Sequence, residues 1–356
     1  MGLQIIKPDT KIDFIGIKKI AFILSAVLIL AGVTSLLIKG GPKYGIDFAG
    51  GMIVQVKIEK DTDVEVVKDA LSGVELPGLV VQTLGLDGDH EYLIRTSSSD
   101  ISSEDVRNRV NTALTANLDG AKYEIQRLEM VGPKVGADLR AKALEALFYA
   151  VLLIAVYISG RFEQRWTVAG VMAAALGAGV YGIGLLGLEM GWLIVAALAI
   201  TVGLCWYLKL NYALGAVVAL IHDVMITIGI FSILGKEFDL TIIAALLTII
   251  GYSLNDTIIV FDRIRENTIA RKGNQSFGSV INMSVNQTLS RTIMTSATTL
   301  MVVFCLFVLG GSVIHDFALA LLIGVGVGTY SSIFVASPIL LGFGPGSEAE
   351  AAPADA

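Results

Sequence analysis

Residues 240–260 read LTIIAALLTIIGYSLNDTIIV, and how this stretch is understood decides the fold of the whole chain. It has the length and apolar content of a helix that crosses a hydrocarbon core about 30 Å thick. Yet Gly251, Ser253, Asn255, Asp256 and Thr257 interrupt its second half. An acidic side chain at mid-bilayer costs at least ~2.5–3.5 kcal/mol, so Asp256 is a functional residue by default. Polar breaks at membrane depth belong where a helix lines a cavity or an ion path.

Similar apolar runs lie on both sides of this one, near residues 20–38, 142–159, 166–188, 191–208, 212–234, 288–310 and 316–342. Together they predict eight spans. The composition agrees: of 356 residues, 54% are hydrophobic and only 16% charged, where a soluble domain carries about a quarter charged. A soluble enzyme is excluded. The run at 20–38 is too long for a signal peptide and has no convincing cleavage site, so it reads as a retained anchor. Lys7, Lys11, Lys18, Lys19, Arg161, Arg165, Arg263, Arg265, Arg271 and Lys272 fall on one side of an eight-span threading. That side is then the cytoplasm, with both termini on it. The net charge is −6 with no basic block, which argues against nucleic acid as a partner. Cys205 and Cys305 lie in apolar runs without metal-ligand spacing and read as packing residues.

The long polar stretch at 40–138 is large enough for a core of its own and falls on the exoplasmic side. Strands are expected at 46–58, 78–85, 91–97 and 122–131, with helices at 62–72 and 103–118. The turn Asp87-Gly88-Asp89 separates the middle strands. This β-α-β-β-α-β order is the ferredoxin-like plan. His90 stands alone in a turn and reads as a surface histidine. The domain plan is therefore 1–39 for the N-terminus and first span, 40–138 for the exoplasmic domain, 139–343 for the bundle, and 344–356 for an acidic, Ala-rich disordered tail.

Within the spans the informative residues are Asp223 with its neighbour His222, Asp256, and Arg291. Arg291 belongs to a predicted polar face of Ser284, Gln287, Thr288, Arg291, Thr295 and Thr298, which must meet protein or water. An arginine beside a buried aspartate gives either a static ion pair or a switch that protonation releases. Gly177-x-Gly179-x-x-Gly182 lies inside an apolar span and is not a dinucleotide site. Gly324-x-x-x-Gly328 reads as close helix packing.

Several strings converge on one family: YGIDFAGG at 44–51, VGPKVG at 131–136, ALIHD at 219–223, GYSLNDTIIVFDRIREN at 251–267 and LSRT at 289–292. In order and over most of the chain they resemble the SecF family of the bacterial Sec translocase. The resemblance implies a non-enzymatic, multi-pass subunit of the bacterial cytoplasmic membrane, with protons as the coupling ion and no other cofactor. It further implies SecD, the SecYEG channel and unfolded secretory polypeptide as partners. It assigns proton conduction to Asp256 and Arg291; Asn255, Thr257, His222, Asp223 and Thr295 are supporting polar residues. The family has six spans, whereas here residues 166–211 add two, and an offset of 46 aligns WTVAGV at 166–171 with YALGAV at 212–217, as a decayed duplication would. Two other readings compete: a half-transporter of a related proton-driven exporter for small or lipidic substrates, and an intramembrane aspartyl protease with Asp223 and Asp256 as its dyad.

Overall fold

In the computed structural model the described residues are 10–84, 90–97, 101–118, 120–163, 166–184, 190–270 and 275–342. The apolar runs form α1 (Lys18–Ile38), α5 (Pro133–Glu163), α6 (Trp166–Gly184), α7 (Met190–Tyr207), α8 (Asn211–Ile233), α9 (Leu240–Ile269), α10 (Phe277–Leu309) and α11 (Gly311–Ser331). A π-turn (Ser332–Ala336) and the short α12 (Ser337–Ile339) extend α11. The polar stretch forms α2 (Ile46–Ala49), β1 (Gly51–Ile58), α3 (Val64–Leu71), β2 (Val80–Leu84), β3 (Glu91–Thr96), α4 (Ser103–Asn117) and β4 (Tyr123–Val131).

Among the described residues, six helices are long and apolar enough to span a membrane, not the eight expected: Lys18–Ile38, Pro133–Phe162, Asn211–Ile233, Leu240–Ile269, Phe277–Leu309 and Ile314–Gly342. The other two expected spans, α6 and α7, have 19 and 18 residues, about 28 and 27 Å at 1.5 Å per residue. Their described apolar stretches are Trp166–Ala175 and Val195–Tyr207, so eight spans are not confirmed. Both helices pack on α5, and α7 also touches α8.

The sheet order is β2-β3-β1-β4 with every pairing antiparallel, the split-βαβ plan read from the sequence. Alternation along β1 buries Met52, Val54, Val56 and Ile58. These pack with Tyr92 and Ile94 of β3 against Val67 and Leu71 of α3 and Val106, Val110 and Leu114 of α4. Asp63 and Ser102 cap the two helices, each accepting from a backbone N–H in the first turn. The strand expected at 46–58 is not continuous. Residues 46–49 form the short helix α2, and Gly50 (φ +78°) and Gly51 (φ +130°) turn the chain into β1. The expected turn at 87–89 and the tail at 344–356 lie outside the described residues.

The sheet's other face looks onto the turn between α8 and α9. Gly45 N donates to Phe238 O and Phe238 N to Lys43 O, both at 2.8 Å, so the lead-in to the domain pairs with that turn. Glu237 forms ion pairs with Arg95 of β3 and, at 3.0 Å, with Lys43. At the N-terminus of α9, Ile242 N donates to Asp239 Oδ1 (2.9 Å) and Leu240 N to Asp47 Oδ2 (3.0 Å). Two carboxylates thus meet the positive end of the helix dipole.

Candidate functional site

Asp223 and Asp256 are almost fully buried, at 0% and 1% exposure. A carboxylate removed from water needs donors around it, and the bundle supplies hydroxyls. Asp223 Oδ2 accepts from Ser253 Oγ of α9 (2.5 Å) and from Ser331 Oγ of α11 (2.8 Å). His222 Nδ1 lies 2.8 Å from Asp223 Oδ1, and its Nε2 lies 2.9 Å from Ser25 Oγ of α1. Tyr330 stacks on the imidazole, lies 3.2 Å from Ser25 Oγ through its own hydroxyl, and donates to Ala21 O. One network therefore ties α1, α8, α9 and α11 together.

Asp256 sits one turn along α9 in a second network. Ser296 Oγ of α10 donates to Asp256 Oδ2 (3.1 Å), and Thr329 Oγ1 of α11 donates to Ser296 Oγ (2.7 Å). No hydrogen bond joins Asp256 to Asp223, so the two do not form the shared-proton dyad that the protease reading requires. Close packing holds this geometry. A Cβ on Gly324 would stand 2.2 Å from Ile249 Cδ1, and one on Gly328 would stand 2.9 Å from Ser253 Cβ. The Gly324-x-x-x-Gly328 spacing is the seam between α11 and α9.

The other expected site residues divide. Thr257 is buried, but its hydroxyl bonds back to Ser253 O of its own helix at 3.1 Å. Asn255 and Arg291 lie on the exposed side of α9 and α10. Among the described residues, Arg291 takes part in no ion pair within 4.0 Å, but its charge acts on Asp256 at longer range. Thr295 is half-buried; its hydroxyl meets the Asp256 carboxylate, as expected of a supporting residue, and also donates to Arg291 O and Thr292 O of its own helix. The predicted polar face is displaced by about a quarter turn. Ser284 and Thr288 face inward as expected, but the stripe continues through Thr292 and Ser296 rather than Arg291, Thr295 and Thr298. Ser25, Ser296, Thr329, Tyr330 and Ser331 were missed, because a lone hydroxyl in an apolar run has no signature until its partner helix is known. Cys205 is buried as expected; Cys305 is exposed, so it does not pack within this chain. His90 is paired with Asp61 at 3.5 Å.

At the domain–bundle contact, burial pulls the Arg95 guanidinium below its ordinary pKa, while Asp239 and Asp316 pull it back up. Burial, and then the Arg95 charge, lower Lys43. Lys236 of the α8–α9 turn pairs with Asp316 of α11 at 2.7 Å. These contacts form a charged collar between the sheet and the ends of three helices.

The family model described as protein export membrane protein SecD/SecF, C-terminal, matches residues 110–203 and 184–345. The SecD/SecF GG motif matches residues 35–62, which hold Gly50 and Gly51. The two C-terminal matches overlap within the extra helix pair. The protein translocase subunit SecF of Magnetococcus marinus is 42% identical over 98% of this chain and 97% of its own length. That of Calditerrivibrio nitroreducens is 38% identical over 95% and 96%. The crystal structure of SecDF, a translocon-associated membrane protein from Thermus thermophilus, superposes with a TM-score of 0.69 at 30% identity. It covers 96% of this chain, which spans 39% of that longer one. With its sheet domain, its glycine joint and its membrane helices all matched, the chain belongs to the SecD/SecF family of protein export membrane proteins, among the SecF subunits of the protein translocase.

Proposed function

We propose that this subunit works with a SecD-type partner in the bacterial cytoplasmic membrane and uses the proton-motive force to draw secretory polypeptide outward through a SecYEG-type channel. The observation that carries this reading is Asp256: 1% exposed at membrane depth, met by the hydroxyls of Ser296 and Thr295 and by the charge of Arg291 without an ion pair within 4.0 Å. Such a carboxyl is stable neutral and costly ionised. Its protonation therefore changes the energy of the bundle by an amount that a proton gradient can supply. The domain side of α9 is fastened to the sheet domain through Asp47 and Glu237, so a shift of α9 is delivered to that domain.

The exposed side of α9 and α10 supports the partner. Arg291, Asn255, Gln287 and Thr298 lie there, and an arginine facing lipid is costly. A second protein with an acidic or carbonyl-lined face relieves that cost and brings Arg291 into the proton path from outside the chain. Lys18, Lys19, Arg161, Arg263 and Arg265 cluster at the end of the bundle opposite the sheet domain, which makes that end cytoplasmic and the domain periplasmic. The extra pair α6 and α7 then crosses as a hairpin that packs against α5 and α8. The test is preprotein translocation in inverted vesicles containing the subunit and its partner, with Asp256→Asn beside wild type. Loss of the gradient-dependent part with assembly retained supports the reading; full translocation in the variant contradicts it. Function as a stand-alone homo-oligomer moving a small or lipidic substrate would favour the exporter reading instead.

A further inference from the structure

Helix α10 carries Ser284, Thr288, Thr292 and Ser296 at four-residue spacing, on one stripe. All four are buried, at 0%, 7%, 1% and 2% exposure. With about 6 Å of rise per step, the stripe extends about 18 Å along the helix. Both ends touch α9. At one end Ser296 Oγ donates to Asp256 Oδ2. At the other, Asn267 Nδ2 donates to Ser284 Oγ (2.8 Å) and to Gln287 Oε1 (2.9 Å). Asn267 is half-buried and Gln287 exposed, so the stripe opens at the end of the bundle opposite the sheet domain.

The middle of the stripe is not built as ordinary core. Thr292 Oγ1 is buried with no hydrogen-bond partner in the protein. A buried hydroxyl left unpaired costs about 1–3 kcal/mol, which a valine of similar size would avoid. Such groups are met by water. Thr288 and Ser284 donate to carbonyls of their own helix, and each oxygen keeps a lone pair that can accept.

In the opposite direction from Asp256 the buried interior is apolar. Phe231 of α8, Phe238 of the α8–α9 turn, Ile242, Ala245, Leu246 and Ile249 of α9, Val303 of α10, and Ala318, Ala320 and Leu321 of α11 form one buried apolar cluster between the carboxylates and the sheet domain. None of them titrates or donates a side-chain hydrogen bond. Through the buried interior, Asp256 is therefore reached from the stripe side, while on the exposed flank of α10 it meets Thr295 and the charge of Arg291.

We propose that the stripe Ser296-Thr292-Thr288-Ser284 is a water-bearing path along which the Asp256 proton leaves toward the end opposite the sheet domain, with the apolar cluster sealing the other end. This rests on the proton-coupled reading of Asp256. In the step, the Asp256 carboxyl O–H bond breaks and a stripe water gains the proton as hydronium. The excess proton passes along hydrogen-bonded water to bulk solvent at Asn267 and Gln287. The carboxylate left behind keeps the hydrogen bond donated by Ser296.

The test uses the full chain with its partner in membrane vesicles, carrying Cys205→Ala and Cys305→Ser. Thr292→Cys and Thr288→Cys are exposed to a charged, membrane-impermeant thiosulfonate from either face, with Leu246→Cys as the comparison in the apolar cluster. Both stripe positions are expected to react from the cytoplasmic face, faster than position 246 reacts from either face. Thr292→Val is expected to lose gradient-stimulated translocation, and Thr292→Ser to retain it. Inert stripe cysteines together with a fully active Thr292→Val overturn the path, as does labelling from the periplasmic face alone. Labelled stripe cysteines with a fully active Asp256→Asn would leave the aqueous stripe standing and remove the proton-coupling reading. A defective Asp256→Asn with an active Thr292→Val would do the reverse.

Discussion

Ser253 and Asp256 stand one turn apart on α9 and belong to different networks. Ser253 gives its hydroxyl to Asp223 at 2.5 Å, while Asp256 receives a hydroxyl from Ser296 at 3.1 Å. The same helix thus carries a donor to one buried carboxylate and the whole of the other. A shift of α9 along its axis alters both contacts together.

The Asp223 network is expected to act chiefly as a clamp. Asp223→Ala leaves Ser253, Ser331 and His222 without their shared acceptor in a buried site, and removing one member of such a charged set costs about 3–5 kcal/mol. Ser331→Ala removes one hydrogen bond and is expected to cost about 1 kcal/mol. Thermal unfolding in detergent distinguishes them: a large fall in midpoint for the first and a small one for the second. Equal, small shifts would contradict the clamp.

Gly50 and Gly51 form the joint where the chain enters the sheet. A Cβ on Gly50 would lie 2.9 Å from Pro133 Cα, and one on Gly51 would lie 2.6 Å from Thr96 O, both at positive φ. Alanine at either position is expected to destabilise the domain by more than about 1 kcal/mol. The check is limited proteolysis of the domain in the intact protein, with cleavage accelerated in Gly51→Ala and unchanged in Gly73→Ala, where a Cβ meets nothing within 4 Å.

Arg95 and Glu237 fasten the sheet to the α8–α9 turn from side chains that are 23% and 18% exposed. Breaking a mostly buried pair from one side leaves a charge without compensation. Arg95→Ala is therefore expected to raise hydrogen exchange at the N-terminus of α9 and to weaken gradient-driven translocation, while the exchanged pair Arg95→Glu with Glu237→Arg recovers part of both. Unchanged exchange in Arg95→Ala would show that the turn is held by its backbone pairing with residues 43–45 alone.

Much of this architecture could be read from the residues, because apolar runs and two-residue alternation are local. The order of the sheet domain and the burial of Asp223 and Asp256 follow directly. The phase of α10 does not. Positions 291 and 292 stand 100° apart on a helix of 3.6 residues per turn, and with polar side chains on both flanks the pattern does not say which flank meets protein. The charge of Arg291 drew the predicted face toward it, whereas the hydroxyls at 292 and 296 are the ones that turn inward. Asn255 beside Asp256 invited a shared role, yet adjacent helical residues point apart. Asp47 and Glu237 gave no signal because their partners lie far along the chain, at Leu240 and Arg95.

The account rests on Asp256 as the group whose protonation is coupled to translocation. The direct measurement is dissipation of an imposed pH gradient by proteoliposomes holding the subunit with its partner and channel, followed during translocation of a preprotein, for wild type, Asp256→Glu and Asp256→Asn. The account predicts translocation-dependent proton flux in wild type, a reduced flux in Asp256→Glu, and none above background in Asp256→Asn with the complex intact. Flux at the wild-type rate in Asp256→Asn would contradict it.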